Sequence, residues 1–231
     1  MGVVSGGSLR INEIFHSIQG ESTWAGCPCV FVRLTGCPLR CTYCDTEYAF
    51  REGESRPVAD VAREVHAIGC PLVEVTGGEP LAQRGCAQLV RELLDLGHTV
   101  LVETSGALDT SALDPRAHII LDVKTPGSGE HARNLASNLE RLRPHDEVKF
   151  VVSGRADYDF AKGVIAEHQL AQRCRAVLLS PVFEQAKGLE IAGARALAPR
   201  TLAEWMLADR LPARMSLQVH KFIWDPGTRG V

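Results

Sequence analysis

Short apolar runs rich in Val, Ile and Thr recur along the chain, and stretches of helical period separate them. The runs at 30–35, 72–76, 99–104, 118–124, 147–152, 176–182 and 216–223 predict strands, because β-branched residues in short bounded runs suit a pleated, half-buried surface. Between them Val58, Val61, Val65 and Ile68 fall on one helical face, as do Leu89, Val90, Leu93 and Leu94. Further helices are expected over 132–142, 158–170 and 197–211. Strand–helix alternation of this kind predicts a parallel α/β sheet. An open doubly wound sheet and a partial barrel both satisfy it. No internal repeat, charge block or long linker interrupts the pattern, so a single domain over 9–231 is expected. Residues 1–8 are small and Gly-rich and are expected to form a disordered end.

The strands carry an oddity. A parallel strand covered on both faces reads as a near-continuous apolar run, yet these hold Arg33, Glu74, Glu103, Asp122 with Lys124, Lys149 and His220. One buried, unpaired charge costs on the order of several kcal/mol. Any single one could face solvent at an edge or pair with another. So many together are better explained by a polar pocket inside a barrel, with the charges pointing inward at a ligand.

Composition narrows the class. With 231 residues the chain is long enough for one large domain or two small ones, and 45% hydrophobic with 23% charged residues is a globular balance. A formal charge of -3 gives no reason to expect a nucleic-acid or membrane partner. Residues 1–8 lack the basic and apolar regions of a secretory signal, so a cytoplasmic location with reduced thiols is expected. Among the 8 cysteines, Cys27, Cys29, Cys70, Cys86 and Cys174 are scattered, and Cys27 and Cys29 are expected to be packing residues.

The other three form the strongest signal: Gly36-Cys37-Pro38-Leu39-Arg40-Cys41-Thr42-Tyr43-Cys44. Three thiolates so closely spaced can wrap one metal group. Structural zinc wants four ligands, and a distant His could supply the fourth. A 4Fe–4S cluster usually takes four cysteines, and three would leave one iron open to a substrate group. A second element, Thr76-Gly77-Gly78-Glu79-Pro80, follows an expected strand and precedes a helix. Alone it is a tight turn. With the three-cysteine loop one βα unit upstream, the pair resembles the radical S-adenosylmethionine (SAM) superfamily. Two glycines allow close backbone approach, and the helix start favours the SAM carboxylate.

Three flanking blocks, Glu13-Ile14-Phe15-His16-Ser17-Ile18-Gln19-Gly20-Glu21, Cys44-Asp45-Thr46-Glu47-Tyr48-Ala49-Phe50 and Leu217-Gln218-Val219-His220-Lys221-Phe222-Ile223-Trp224, sharpen this to a resemblance to the 7-carboxy-7-deazaguanine synthases, from about Leu9 to Trp224. The resemblance implies a partial, trimmed parallel β/α barrel with some helices shortened. It implies ring contraction of 6-carboxy-5,6,7,8-tetrahydropterin with loss of ammonia, toward queuosine and other 7-deazapurines. Cofactors would be a 4Fe–4S cluster on Cys37, Cys41 and Cys44, SAM, and Mg²⁺ on Thr46. Substrate contacts would be Ile18, Gln19, Gly20, Glu21, Arg33, Thr76 and His220, with Arg33 on the substrate carboxylate. SAM contacts would be Tyr43, Cys44, Asp45, Gly77, Gly78, Glu79, Glu103, Ser105, Asp122, Lys124 and Ser180. It also suggests a homodimer and an electron donor such as a flavodoxin or ferredoxin. A glycyl-radical activase shares the cluster motif and size, though Gln19-Gly20-Glu21 and Arg33 argue against it, and an iron–sulfur or zinc binding module stands outside the enzymes.

Overall fold

The computed structural model describes residues 7–231. Its strands are β1 (Ser8–Ile18), β2 (Pro28–Leu34), β3 (Glu54–Pro57), β4 (Leu72–Gly77), β5 (Thr99–Thr104), β6 (His118–Asp122), β7 (Glu147–Val152), β8 (Ala176–Pro181) and β9 (Arg214–Met215). They form one sheet in the order β3-β1-β2-β4-β5-β6-β7-β8-β9. From β2 to β9 every neighbouring pair is parallel, while β1 runs antiparallel to β2 and β3 antiparallel to β1. From β4 onward the strand order never reverses, which excludes the doubly wound sheet and leaves a partial barrel.

The helices are α1 (Val58–Ile68), α2 (Cys86–Asp95), α3 (Ala136–Glu140), α4 (Arg155–Glu167), α5 (Leu170–Arg173), α6 (Pro199–Asp209) and α7 (His220–Ile223). Val58, Val61 and Val65 of α1, Leu89, Val90 and Leu93 of α2, and Tyr158, Ala161 and Ile165 of α4 are buried in one core cluster. That cluster includes Val32 and Leu34, Val73 and Val75, Val100 and Val102, Leu121, Val148, Phe150, Val177 and Leu179 on the sheet. Each fully buried side chain of this kind contributes about 1.5–3 kcal/mol. The alternate positions, Arg33, Glu74, Thr76, Glu103, Asp122, Lys149 and Ser180, point to the opposite, concave face and line a cavity. The strand charges thus occupy the inward pocket their pattern predicted.

Several expectations need correction. The run at 216–223 is not a strand: β9 is Arg214–Met215, and His220–Ile223 is a helical turn whose Trp224 N–H returns to the His220 carbonyl. The expected helix at 132–142 shrinks to a 3-10 turn (His131–Arg133) and the short α3. The 13-residue connection 105–117 between β5 and β6 carries no helix. β1 and β3 were not foreseen. Cys27 is exposed, so of the two neighbouring cysteines only Cys29 is a packing residue. Ser8 already belongs to β1, and residues 1–6, the bulk of the expected disordered end, lie outside the described residues. No helix among the described residues is long and apolar enough to cross a membrane.

Candidate active site

A cavity of about 450 Å³ opens on the concave face of the sheet. Its walls come from strand ends that the hydrophobic face of each strand fixes in place. Ile18, Gln19, Gly20 and Glu21 enter from the end of β1 and the loop after it, Arg33 from β2, Thr76, Gly77 and Gly78 from the end of β4, Glu103 and Ser105 from β5, Asp122 and Lys124 from β6, Ser180 from β8 and His220 from α7. Cys37, Cys41, Tyr43, Cys44, Asp45 and Thr46 line the same cavity from the loop between β2 and β3. Of the residues singled out in the sequence, Glu79 alone is placed elsewhere. Its fully buried carboxylate accepts hydrogen bonds from Leu81 N (2.9 Å), Thr104 Oγ1 (2.8 Å), Ser105 N (2.7 Å) and Ser105 Oγ (2.5 Å). With those bonds filled, its side chain ties the glycine turn to the end of β5.

Two close backbone approaches shape the walls. A Cβ on Gly78 would lie 2.5 Å from the Gly36 carbonyl oxygen, so only glycine lets the turn after β4 lie against the cysteine loop, where Glu79 N donates to Gly36 O at 2.8 Å. A Cβ on Gly20 would lie 2.0 Å from His220 Nδ1, so this glycine admits the His220 ring, and Val219 N donates to Gly20 O at 2.9 Å.

The electrostatics divide into three groups. On the floor, Lys149 is clasped by Glu21 at 2.8 Å, by Glu103, and by Asp122 at 3.8 Å. Burial alone would lower the ammonium pKa, but Glu103, Glu21 and Asp122 hold it well above its ordinary value. Burial pushes Glu21 up, yet the Lys149 charge and hydrogen bonds from Lys149 and Gln218 bring it down to about 2. Glu74, bonded to the Gln19 side-chain amide, has no such cation, and burial with the Glu103 and Glu21 charges raises it well above the ordinary range. Burial and its acidic neighbours thus favour the protonated form of Glu74, while Lys149 favours the carboxylate form of Glu21.

On the cysteine side, Lys124 Nζ pairs with Asp122 Oδ2 at 2.8 Å. The other Asp122 oxygen and the Tyr43 hydroxyl are buried with no hydrogen-bond partner. Burial raises the Cys37, Cys41 and Cys44 thiols and the Tyr43 hydroxyl. Asp45 accepts from Lys221 at 2.7 Å and Gln218 at 3.3 Å. Burial opposes its ionisation, but Lys221 and Arg33 hold it well below the usual carboxylate range. At the third wall Arg33 donates from Nε to Glu13 at 2.6 Å. Its partner is Glu13, from the neighbouring strand β1. Burial lowers the His220 imidazole, leaving it neutral.

The chain's end also reaches the cavity: residues 226–231 line it, with Arg229 paired to Glu52 at 2.8 Å and stacked 3.8 Å from the Tyr48 ring. Lys149, Glu74, Tyr48, Gln218, Lys221 and this tail were not proposed as site residues. Lys149 and Glu74 were flagged only as odd strand charges, and Tyr48, Gln218 and Lys221 sit inside the diagnostic blocks beside residues that were.

The radical SAM superfamily model matches residues 31–127, which hold the cysteine loop and the glycine turn. A 7-carboxy-7-deazaguanine synthase of Chlorobaculum tepidum is 48% identical over 226 residues, covering 96% of this chain and 97% of its own. That of Koribacter versatilis is 44% identical over 226 residues, covering 96% of this chain and 100% of its own. The chain belongs to the 7-carboxy-7-deazaguanine synthase family. The crystal structure of QueE from Escherichia coli shares its fold, with a TM-score of 0.72, 24% identity, and coverage of 92% of this chain and 95% of that one.

Membership of this synthase family and of the radical SAM superfamily implies a 4Fe–4S cluster and SAM, and the residues fit both. Cys37, Cys41 and Cys44 come from one loop on one wall of the cavity, where each thiolate can ligate a different iron of a cluster. The orphaned Tyr43 hydroxyl and Asp122 oxygen, both on the cavity wall, are unpaired polar groups that a ligand with hydroxyl, amino and carboxylate groups can engage.

Proposed function

We propose that this protein is a 7-carboxy-7-deazaguanine synthase, converting 6-carboxy-5,6,7,8-tetrahydropterin to 7-carboxy-7-deazaguanine with ring contraction and loss of ammonia, in the biosynthesis of queuosine and other 7-deazapurines. The observation that carries this reading is one cavity that joins the three-cysteine loop to a half-buried guanidinium and an acidic floor built around Lys149. A pterin acid has a carboxylate at one end and N–H donors at the other, and the cavity offers the complementary groups. Cys37, Cys41 and Cys44 would hold the cluster, and Tyr43, Cys44, Asp45, Gly77, Gly78, Glu103, Ser105, Asp122, Lys124 and Ser180 would border SAM. When bound, the cluster and SAM supply the one-electron chemistry that takes hydrogen from the substrate.

The chain's own residues then bind and orient. Arg33 presents a planar fork that suits a carboxylate. Glu21, kept ionised by Lys149, accepts from the donor edge of the ring, with Ile18, Gln19, Gly20 and Thr76 beside it. Burial and the Glu103 and Glu21 charges favour a protonated Glu74 carboxyl, which can donate a hydrogen bond that an ionised acid cannot. Neutral His220 keeps an acceptor nitrogen on the substrate side. Thr46 would contribute one hydroxyl to Mg²⁺, the substrate carboxylate and water completing the shell. The working form would be a homodimer in the cytoplasm, reduced by a flavodoxin or ferredoxin. Anaerobic, cluster-loaded protein incubated with SAM, Mg²⁺, a reductant and the carboxypterin should yield the deazapurine. Protein that binds SAM and holds its iron but releases no deazapurine would overturn the reading.

A further inference from the structure

The Arg33 guanidinium is gripped by residues assigned to neither substrate nor cofactor. Glu13 Oε1 accepts from Arg33 Nε at 2.6 Å and from Tyr48 OH at 2.9 Å. The guanidinium carbon lies 5.8 Å from the ring centroids of both Phe15 and Tyr48. Phe15, Arg33 and Tyr48 line the cavity, whereas Glu13 does not. A guanidinium has two hydrogen-bonding edges, and Glu13 takes the Nε side. Among the described residues no hydrogen bond engages the two Nη groups, which leaves that pair for a ligand.

The backbone is shaped for this contact. Ile11 of β1 pairs with Leu34, then the register shifts by one residue, and Glu13 pairs with Arg33. Had the first register continued, Asn12 would face Arg33. A β-bulge re-aims side chains in this way, and here it sets a carboxylate rather than an amide opposite the arginine. The bulge and the two rings over-determine one orientation of one side chain, beyond what an ion pair needs.

We infer that Glu13 and Tyr48 are positioning residues that lock Arg33 by its Nε edge, so that its paired Nη groups meet the substrate carboxylate. This rests on the reading of Arg33 as the carboxylate clamp. It makes Glu13 and Tyr48 determinants of specificity: they set how strongly the enzyme prefers a pterin acid over a pterin without the acid.

The test uses anaerobic, cluster- and SAM-loaded enzyme and two ligands, the carboxypterin and tetrahydropterin lacking the 6-carboxylate. Wild-type protein should prefer the acid. Glu13→Gln should shrink that preference by about tenfold, and Tyr48→Phe should shrink it several-fold. Affinity for the acid-free ligand and for SAM should not change. Equal loss of both pterins and SAM in Glu13→Gln would mark a merely structural pair and overturn the inference. Retained preference in both variants would overturn it too. Should Glu13→Gln fail to fold, Tyr48→Phe, which keeps the ring, decides alone. A wild-type enzyme with no preference would instead bring down the clamp reading of Arg33 itself, a result separable from the variants' behaviour.

Discussion

Gly78→Ala should dismantle the seam between the glycine turn and the cysteine loop. The added Cβ would lie 2.5 Å from the Gly36 carbonyl oxygen and 2.8 Å from Cys37 Cβ. Ordinary contacts sit at about 3.5–4.0 Å, so the two loops must part by roughly 1 Å. Both neighbours are held near the main chain, and no flexible side-chain end can swing aside. Overpacking of this kind costs about 1–3 kcal/mol. Parting the loops also breaks the Glu79 N–Gly36 O bond, whose donor residue is fully buried, for about another 1–3 kcal/mol. A total of about 2–6 kcal/mol corresponds to a Tm loss of roughly 4–24 °C in a chain of this size. Because Cys37 moves with Gly36, iron retained per chain after reconstitution should fall as well. The assay is anaerobic thermal unfolding with iron content measured alongside. Gly163→Ala in α4 is the control: its Cβ meets nothing within 4 Å, and the change should stabilise by about 0.5–1 kcal/mol. A Gly78→Ala protein that melts with wild type and keeps its iron would refute the reasoning.

Three more outcomes are expected at the site. Arg33→Lys keeps the charge but loses the planar fork, so carboxypterin turnover should fall by more than about tenfold while SAM binding survives; near-normal turnover of the folded variant would remove Arg33 from the substrate's carboxylate. Thr46→Ala should weaken the dependence of rate on Mg²⁺ without weakening SAM binding, and an unchanged magnesium response counts against that ligand. Glu74 is protonated in the folded protein at pH values where the unfolded chain has released that proton, so the native state binds more protons and stability falls as pH rises from about 4.5 toward the raised native value. The slope from this group is up to about 1.4 kcal/mol per pH unit, and Glu74→Gln, which cannot titrate, should flatten the Tm profile over that range. Superimposable profiles would show that Glu74 is ionised in the fold.

The cysteine loop and the glycine turn were legible in the sequence because their pattern is local. Three cysteines within one short loop, and two glycines where a strand meets a helix, need no distant partner to be recognised. The concave pocket was legible for a related reason. Strand periodicity alone sends Arg33, Glu74, Glu103, Asp122 and Lys149 to the face opposite Val32, Val75, Val102, Leu121 and Val148.

Contacts between segments far apart in the chain were not legible. β1 reads ambiguously because much of it is only half-buried, and its strand character comes from pairing with β2 and β3. The apolar run at 216–223 satisfies strand composition, but β9 pairs with β8 only through Arg214 and Met215, and the chain beyond it closes as a helical turn at the cavity wall. That Glu79's carboxylate is tied down by Thr104 and Ser105 at the end of β5 is likewise set by a distant strand. Whether Glu21 is ionised and Glu74 protonated depends on which of them Lys149 reaches from 128 residues beyond Glu21. Sequence alone determined which residues are candidates for the chemistry, since residue type and short spacing are written in the chain. Tertiary structure alone decided which charges neutralise one another and which stay free for a ligand, because a salt bridge or an unpartnered donor is set by distances between segments that only folding brings together.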